Sequence, residues 1–151
     1  MRETIRKTLA HISLWAMGLC LTTLVSLDFW QVIQRYALGQ SWPWAGDVSV
    51  ILLLTLAWIG AGYLWLVNGH IAVDFLPLKD TQLNALKTVF DGVVLIGGVV
   101  LIPMTWDTMQ AYSFIDLPTL PVSGSIKYVP VAVGLGFLTL AAALTFLKHR
   151  E

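Results

Sequence analysis

The stretch ISLWAMGLCLTTLVSLDFWQVI, residues 12–33, decides the fold: 22 residues carry a single charge, Asp28. A helix needs about 20 mostly apolar residues to cross the hydrocarbon core of a bilayer. Three further stretches of the same character, residues 48–67, 89–106 and 126–147, leave little chain outside lipid. Lipid offers no water to backbone N–H and C=O groups, so each span must satisfy its own, as a helix does. The expectation is an all-α integral membrane protein, one four-helix membrane domain over residues 1–151.

Composition agrees. The chain is 57% hydrophobic and 12% charged, with a mean hydropathy of +0.76, whereas soluble domains carry about a quarter charged residues. A net charge of zero offers no basic excess to neutralise phosphates, so no nucleic-acid partner is expected. The lone cysteine, Cys20, has no second thiol to pair with and reads as a small packing residue inside the first span. The basic start, Arg2 to Lys7, resembles the head of a signal peptide, but the apolar run after it is too long and ends without a small-x-small site. It reads as a retained helix.

Seven of the nine Lys and Arg residues fall on one side: before span one, between spans two and three, and after span four. Arg35 and Lys127 fall on the other. The positive-inside rule then puts both termini in the cytoplasm. Trp15 and Trp65 are expected near the inner interface, and Trp30, Trp42, Trp44 and Trp106 near the outer one, where indole rings favour the headgroup level. Trp58 alone is mid-span.

Polar residues are candidates for chemistry or for packing. A charge such as Asp28 costs about 2.5–3.5 kcal/mol at a helix centre, and less toward the end where it lies. Asp28, Gln31 and Arg35, spaced i, i+3, i+7, share a helix face that should meet protein or water. An ion site is one reading, and a polar packing contact is preferred. Asp47 follows Pro43, a residue suited to opening a helix, and Asp91 sits at the expected start of span three; the helix dipole favours an anion at both places. Ala57-x-x-x-Ala61 with Gly60 and Gly62, and Gly134, Gly136 and Ala141-Ala142-Ala143, supply small residues for close helix approach.

The connection 68–88 is partly apolar and is expected to lie along the inner interface. His70 and Asp74 in it could meet at i, i+4, but a metal site needs three or four ligands. His11, His70 and His149 all fall near the membrane ends, so haem ligation inside the helices is excluded. No phosphate loop and no nucleophile–base set is visible. Neither an enzyme nor a cofactor is expected. A self-sufficient transporter would carry charged or unwound segments at mid-membrane, where this chain is apolar or small.

Several local patterns then coincide. Arg35-Tyr36 is trailed by Ser41-x-x-Trp44-x-x-Asp47. His70-Ile71-x-Val73-Asp74-x-Leu76 follows span two. Thr119-Leu120-Pro121 precedes Lys127-Tyr128-Val129-Pro130-Val131-x-Val133-Gly134. In order and spacing these resemble the small permease subunit, DctQ type, of tripartite ATP-independent periplasmic (TRAP) transporters. The family usually has a glutamate where this chain has Asp47. The resemblance implies a subunit of a sodium-driven importer of organic acids, such as dicarboxylates or sialic acid, in the bacterial inner membrane. It implies a stable complex with a large permease subunit that holds the substrate and sodium sites, and a transient one with a periplasmic binding protein. Asp28, Arg35, Tyr36, Trp44, Asp47, His70, Asp74, Pro121, Tyr128 and Pro130 are then expected to serve structure or subunit contact, with no catalytic, substrate or metal role. The competing readings are a stand-alone homo-oligomeric transporter coupled through Asp28 and an accessory subunit of another membrane complex.

Overall fold

The computed structural model describes residues 2–67 and 80–149. Among them are four long helices: α1, Arg2–Ala37; α2, Pro43–Leu66; α3, Asp80–Ala111; and α4, Val129–His149. Each contains a segment long and apolar enough to cross a membrane. Short 3-10 turns at Tyr112–Phe114 and Gly124–Tyr128 lie between α3 and α4.

The helices are longer than the apolar stretches that signal them. At 1.5 Å per residue, α1 with 36 residues and α3 with 32 run to about 54 and 48 Å, well beyond a core of about 30 Å. Residues 80–88, expected in an interfacial connection, are the opening turns of α3, and residues 107–111 prolong it at the other end. The rest of that connection, with His70 and Asp74, lies outside the described residues. α2 starts at Pro43, five residues before its apolar stretch, because a proline in the first turn loses no hydrogen bond. α1 closes where the Leu38 and Gln40 N–H groups both return to the Gln34 carbonyl, at 3.2 and 3.1 Å. The turn passes through Gly39 at φ +64°, a left-handed conformation that glycine adopts without steric cost.

The helices pack in the order α1–α2–α4–α3: α2 lies between α1 and α4, and α3 lies against α4. This is a row rather than a closed bundle. The α2–α4 contact interlocks, with the Trp58 side chain seated over Gly134 and the Phe137 ring over Gly62. Trp58, the one mid-span tryptophan, is therefore a knob whose hole is a glycine. On the other side of α4, Thr139 lies over Gly98 of α3. Small residues replace the hydrophobic drive that lipid withholds from helix association. Of the Ala57-x-x-x-Ala61 pair, Ala57 is exposed, and the close approach falls on Gly62 instead.

α1 is covered along one narrow seam: Ser13, Met17, Cys20, Leu24, Leu27, Gln31 and Gln34 are buried or half-buried. The spacing alternates four and three residues, the 3.5-residue repeat of a single packed seam. Trp15, Leu19, Val25, Phe29 and Val32 between them are exposed. Gln31 therefore leaves the expected polar stripe for the seam, while Asp28 and Arg35 stay exposed beside it. Among the described residues the fully or nearly buried apolar ones are few, Ala45, Leu66, Leu117, Leu135, Ala141 and Ala142, and three of the six belong to α4.

Candidate functional site

Polar side chains gather at two places in the row. The first is at the end where α1 turns into α2 and α3 into α4. After the turn Tyr112–Phe114 the chain reverses on itself. The Leu117 N–H donates to the Val122 carbonyl at 2.9 Å, the Val122 N–H to Leu120 at 2.8 Å, and the Gly124 N–H to Ile115 at 2.6 Å. Asp116 and Ser123 form an isolated antiparallel bridge. Pro118 and Pro121 flank the tip and favour the reversal. The Ser123 hydroxyl lies 3.2 and 3.0 Å from the Tyr112 and Ser113 carbonyls and accepts from the Ser125 N–H at 3.3 Å. The Tyr112 and Tyr128 rings pack with centroids 5.2 Å apart. Any side chain at Gly124 would press on the Ile115 carbonyl, 3.0 Å from the Cβ position.

One carboxylate fastens this loop to the rest of the protein. Asp47, the fifth residue of α2, takes a hydrogen bond from the Thr119 hydroxyl on Oδ2 and a 2.7 Å ion pair from Lys127 Nζ on Oδ1. Each oxygen holds a different arm of the loop, so the start of α2 is tied both to the tip and to the approach of α4. Trp42 and Trp44 stack beside it with centroids 5.4 Å apart.

The second place lies between α2, α3 and α4. Asp91, only 5% exposed, accepts on Oδ1 from Trp65 Nε1 at 2.7 Å and from the Thr145 hydroxyl at 3.1 Å. Its Oδ2 is buried without a hydrogen-bond partner. This corrects the expectation that Asp91 marks a helix start, since α3 begins at Asp80 and Asp91 is the twelfth residue of it. The Trp65 indole N–H points into the protein, to this carboxylate.

The other expected residues are dispersed. Asp28 is exposed and accepts from the Ser49 hydroxyl at 2.7 Å. Arg35 and Tyr36 are exposed, with Tyr36 at 80%. Pro121 is exposed at the loop tip, and Pro130 is half-buried as the second residue of α4. Among the described residues no three His, Cys, Asp or Glu side chains gather as a metal set.

Thr119, Lys127 and Asp47 thus bring together at one point the first and third of the sequence patterns. Residues 24–151 match the family model for the DctQ component of tripartite ATP-independent periplasmic transporters. The chain belongs to the DctQ family. No curated protein matches it. As a DctQ chain it is a transporter component and not an enzyme. The matched region includes both polar clusters and the part of α1 that carries Asp28, Gln31 and Gln34. Sequence reasoning found Asp47 but missed its partners. Thr119 and Lys127 stood in the quoted patterns, and only their meeting with α2 was absent. Nothing in the sequence marked Thr145.

Proposed function

We propose that this DctQ chain is the small membrane subunit of a sodium-driven TRAP importer of organic acids in the bacterial inner membrane. It works as one four-helix unit, with both termini cytoplasmic and the 112–128 loop on the periplasmic side. It packs against the scaffold of the large permease subunit, which carries the substrate and sodium sites, and helps dock the periplasmic binding protein at its outer loops. The carrying observation is the row α1–α2–α4–α3, whose helices bury few large side chains and leave long apolar faces on α1 and α3 for lipid and a partner. The polar clusters support a structural role: Asp47 and Asp91 are engaged with side chains of this chain.

The test is a mild-detergent pull-down of the chain from its native membranes, with mass spectrometry of what accompanies it. A large multi-helix permease in roughly equal amount is the expected result. Recovery of the chain alone, as a discrete homo-oligomer, overturns the reading and makes Asp28 the candidate coupling carboxylate.

A further inference from the structure

The two edge helices of the row differ in chemistry. The exposed face of α3, including Val89, Val93, Ile96, Val100 and Met104, is apolar and suits lipid chains. The exposed face of α1 is not uniform. Leu21, Val25, Asp28, Val32 and Arg35 follow one another at four- and three-residue spacing, all exposed, so a carboxylate stands among apolar residues two turns, about 10 Å, short of a guanidinium at the helix end. The carboxylate lies five residues inside the end of the apolar stretch at residue 33, about 8 Å along the axis.

α1 and α2 run antiparallel: Met17 lies against Gly60 and Asp28 against Ser49, so eleven residues up one helix match eleven down the other. The exposed residues Val50, Leu53 and Ala57 therefore flank Ser49 on the side where Leu21, Val25 and Val32 flank Asp28. The result is a shallow groove with apolar walls, a small residue at Ala57, and Asp28 on its rim. Ala57 is a small residue that packing within the row leaves uncovered. Ser49 satisfies Oδ1 of Asp28 with a neutral hydroxyl; Oδ2 has no partner among the described residues. Thr22 and Thr23 need nothing from outside, since their hydroxyls donate to the Gly18 and Leu19 carbonyls at 2.8 Å each. The unmet demand is the second carboxylate oxygen of Asp28, since Arg35 on the same stripe stands two turns away and forms no ion pair with it among the described residues.

Resting on the accessory-subunit reading, we infer that the α1–α2 groove seats a transmembrane helix of the large permease subunit, and that this helix presents a lysine or arginine to Asp28. A charge at this depth persists only where it is paired or wetted, and a cation is the complement that a carboxylate already holding one neutral donor lacks.

The experiment places a photo-cross-linking amino acid at Val25 or Leu53 in the groove, or at Val93 or Val100 on α3, in cells expressing the whole transporter. Cross-links to the large subunit from the groove positions, at least fivefold above those from α3, are expected. Equal or stronger capture from α3 overturns the proposal. In parallel, Asp28→Asn and Asp28→Lys are scored by the large subunit co-purified per copy of this chain in the membrane. The expected losses are several-fold for Asn and near-complete for Lys. Full recovery with Asp28→Asn overturns the cationic partner. If the unsubstituted chain brings down no large subunit, the accessory reading itself falls, so the two failures are distinct.

Discussion

Lys127 Nζ lies 2.7 Å from Asp47 Oδ1, joining the approach of α4 to the first turns of α2 across 80 residues of sequence. Thr119 takes the other oxygen of the same carboxylate. A loop of irregular backbone between two membrane helices, which also makes hydrogen bonds of its own, is thereby tied to a third helix by one side chain. The three partners form a connected unit, so their substitutions are not additive.

Asp47→Ala and Lys127→Ala are each expected to raise amide hydrogen exchange over residues 115–124 by about three- to tenfold, the scale of losing one partly exposed ion pair. The double variant should exceed either single one only slightly. Asp47→Glu should retain most of the protection, because the longer carboxylate can still reach both donors. Equal protection in wild type and Asp47→Ala would show that the loop's own hydrogen bonds suffice.

Gly134→Leu places a side chain where Trp58 sits, and a core already filled resists such an insertion at about 1–3 kcal/mol. Thermal unfolding in detergent should show a clear loss for Gly134→Leu and for Gly62→Val. Gly136→Ala and Gly92→Ala, whose Cβ positions meet nothing within 4 Å, should be neutral or slightly stabilising. Equal losses at all four sites would mean that helix propensity, and not interlocking, governs these positions.

Trp65→Phe removes the indole donor to Asp91 while keeping an aromatic ring in place, and Thr145→Val removes the hydroxyl. Each is expected to cost about 0.6–2 kcal/mol, the range for polar contacts between membrane helices. Asp91→Leu leaves the Trp65 N–H without this acceptor and should cost more than Trp65→Phe alone. A cycle of Trp65→Phe with Asp91→Leu, read by unfolding in detergent, isolates the coupling. A coupling near zero would show that the contact is incidental to the fold.

The four helices were legible because membrane-spanning backbone has to satisfy itself, and an apolar run of sufficient length announces that. Their ends were not. Residues 80–88 and 107–111 are polar helix beyond the apolar signal, and Pro43 opens α2 among interfacial tryptophans. The family resemblance was carried by patterns that include Asp47, Thr119 and Lys127, yet the latch joining them spans 72 and 80 residues. Asp91 was misread for the same reason: its partners lie 26 and 54 residues away, and its burial is set by α2 and α4. The row order was hidden as well. Helices apolar on nearly every face carry no moment that says which neighbour lies where.

The seam of α1 ends in two amides, and they give the sharpest test of that helix. Gln34 is 6% exposed with its Oε1 unpartnered, and Gln31 Nε2 is likewise buried without a partner. A buried polar atom that makes no hydrogen bond carries its desolvation penalty uncompensated, about 1–3 kcal/mol. Gln34→Met keeps length and flexibility while removing both polar atoms, so the purified chain should unfold at the same temperature or higher. Gln34→Ala discards the seam contact as well and should unfold lower. If Gln34→Met instead falls as far as Gln34→Ala, the amide is bound by an ordered water at the α1–α2 crossing, and the seam is held by that water as well as by its apolar residues.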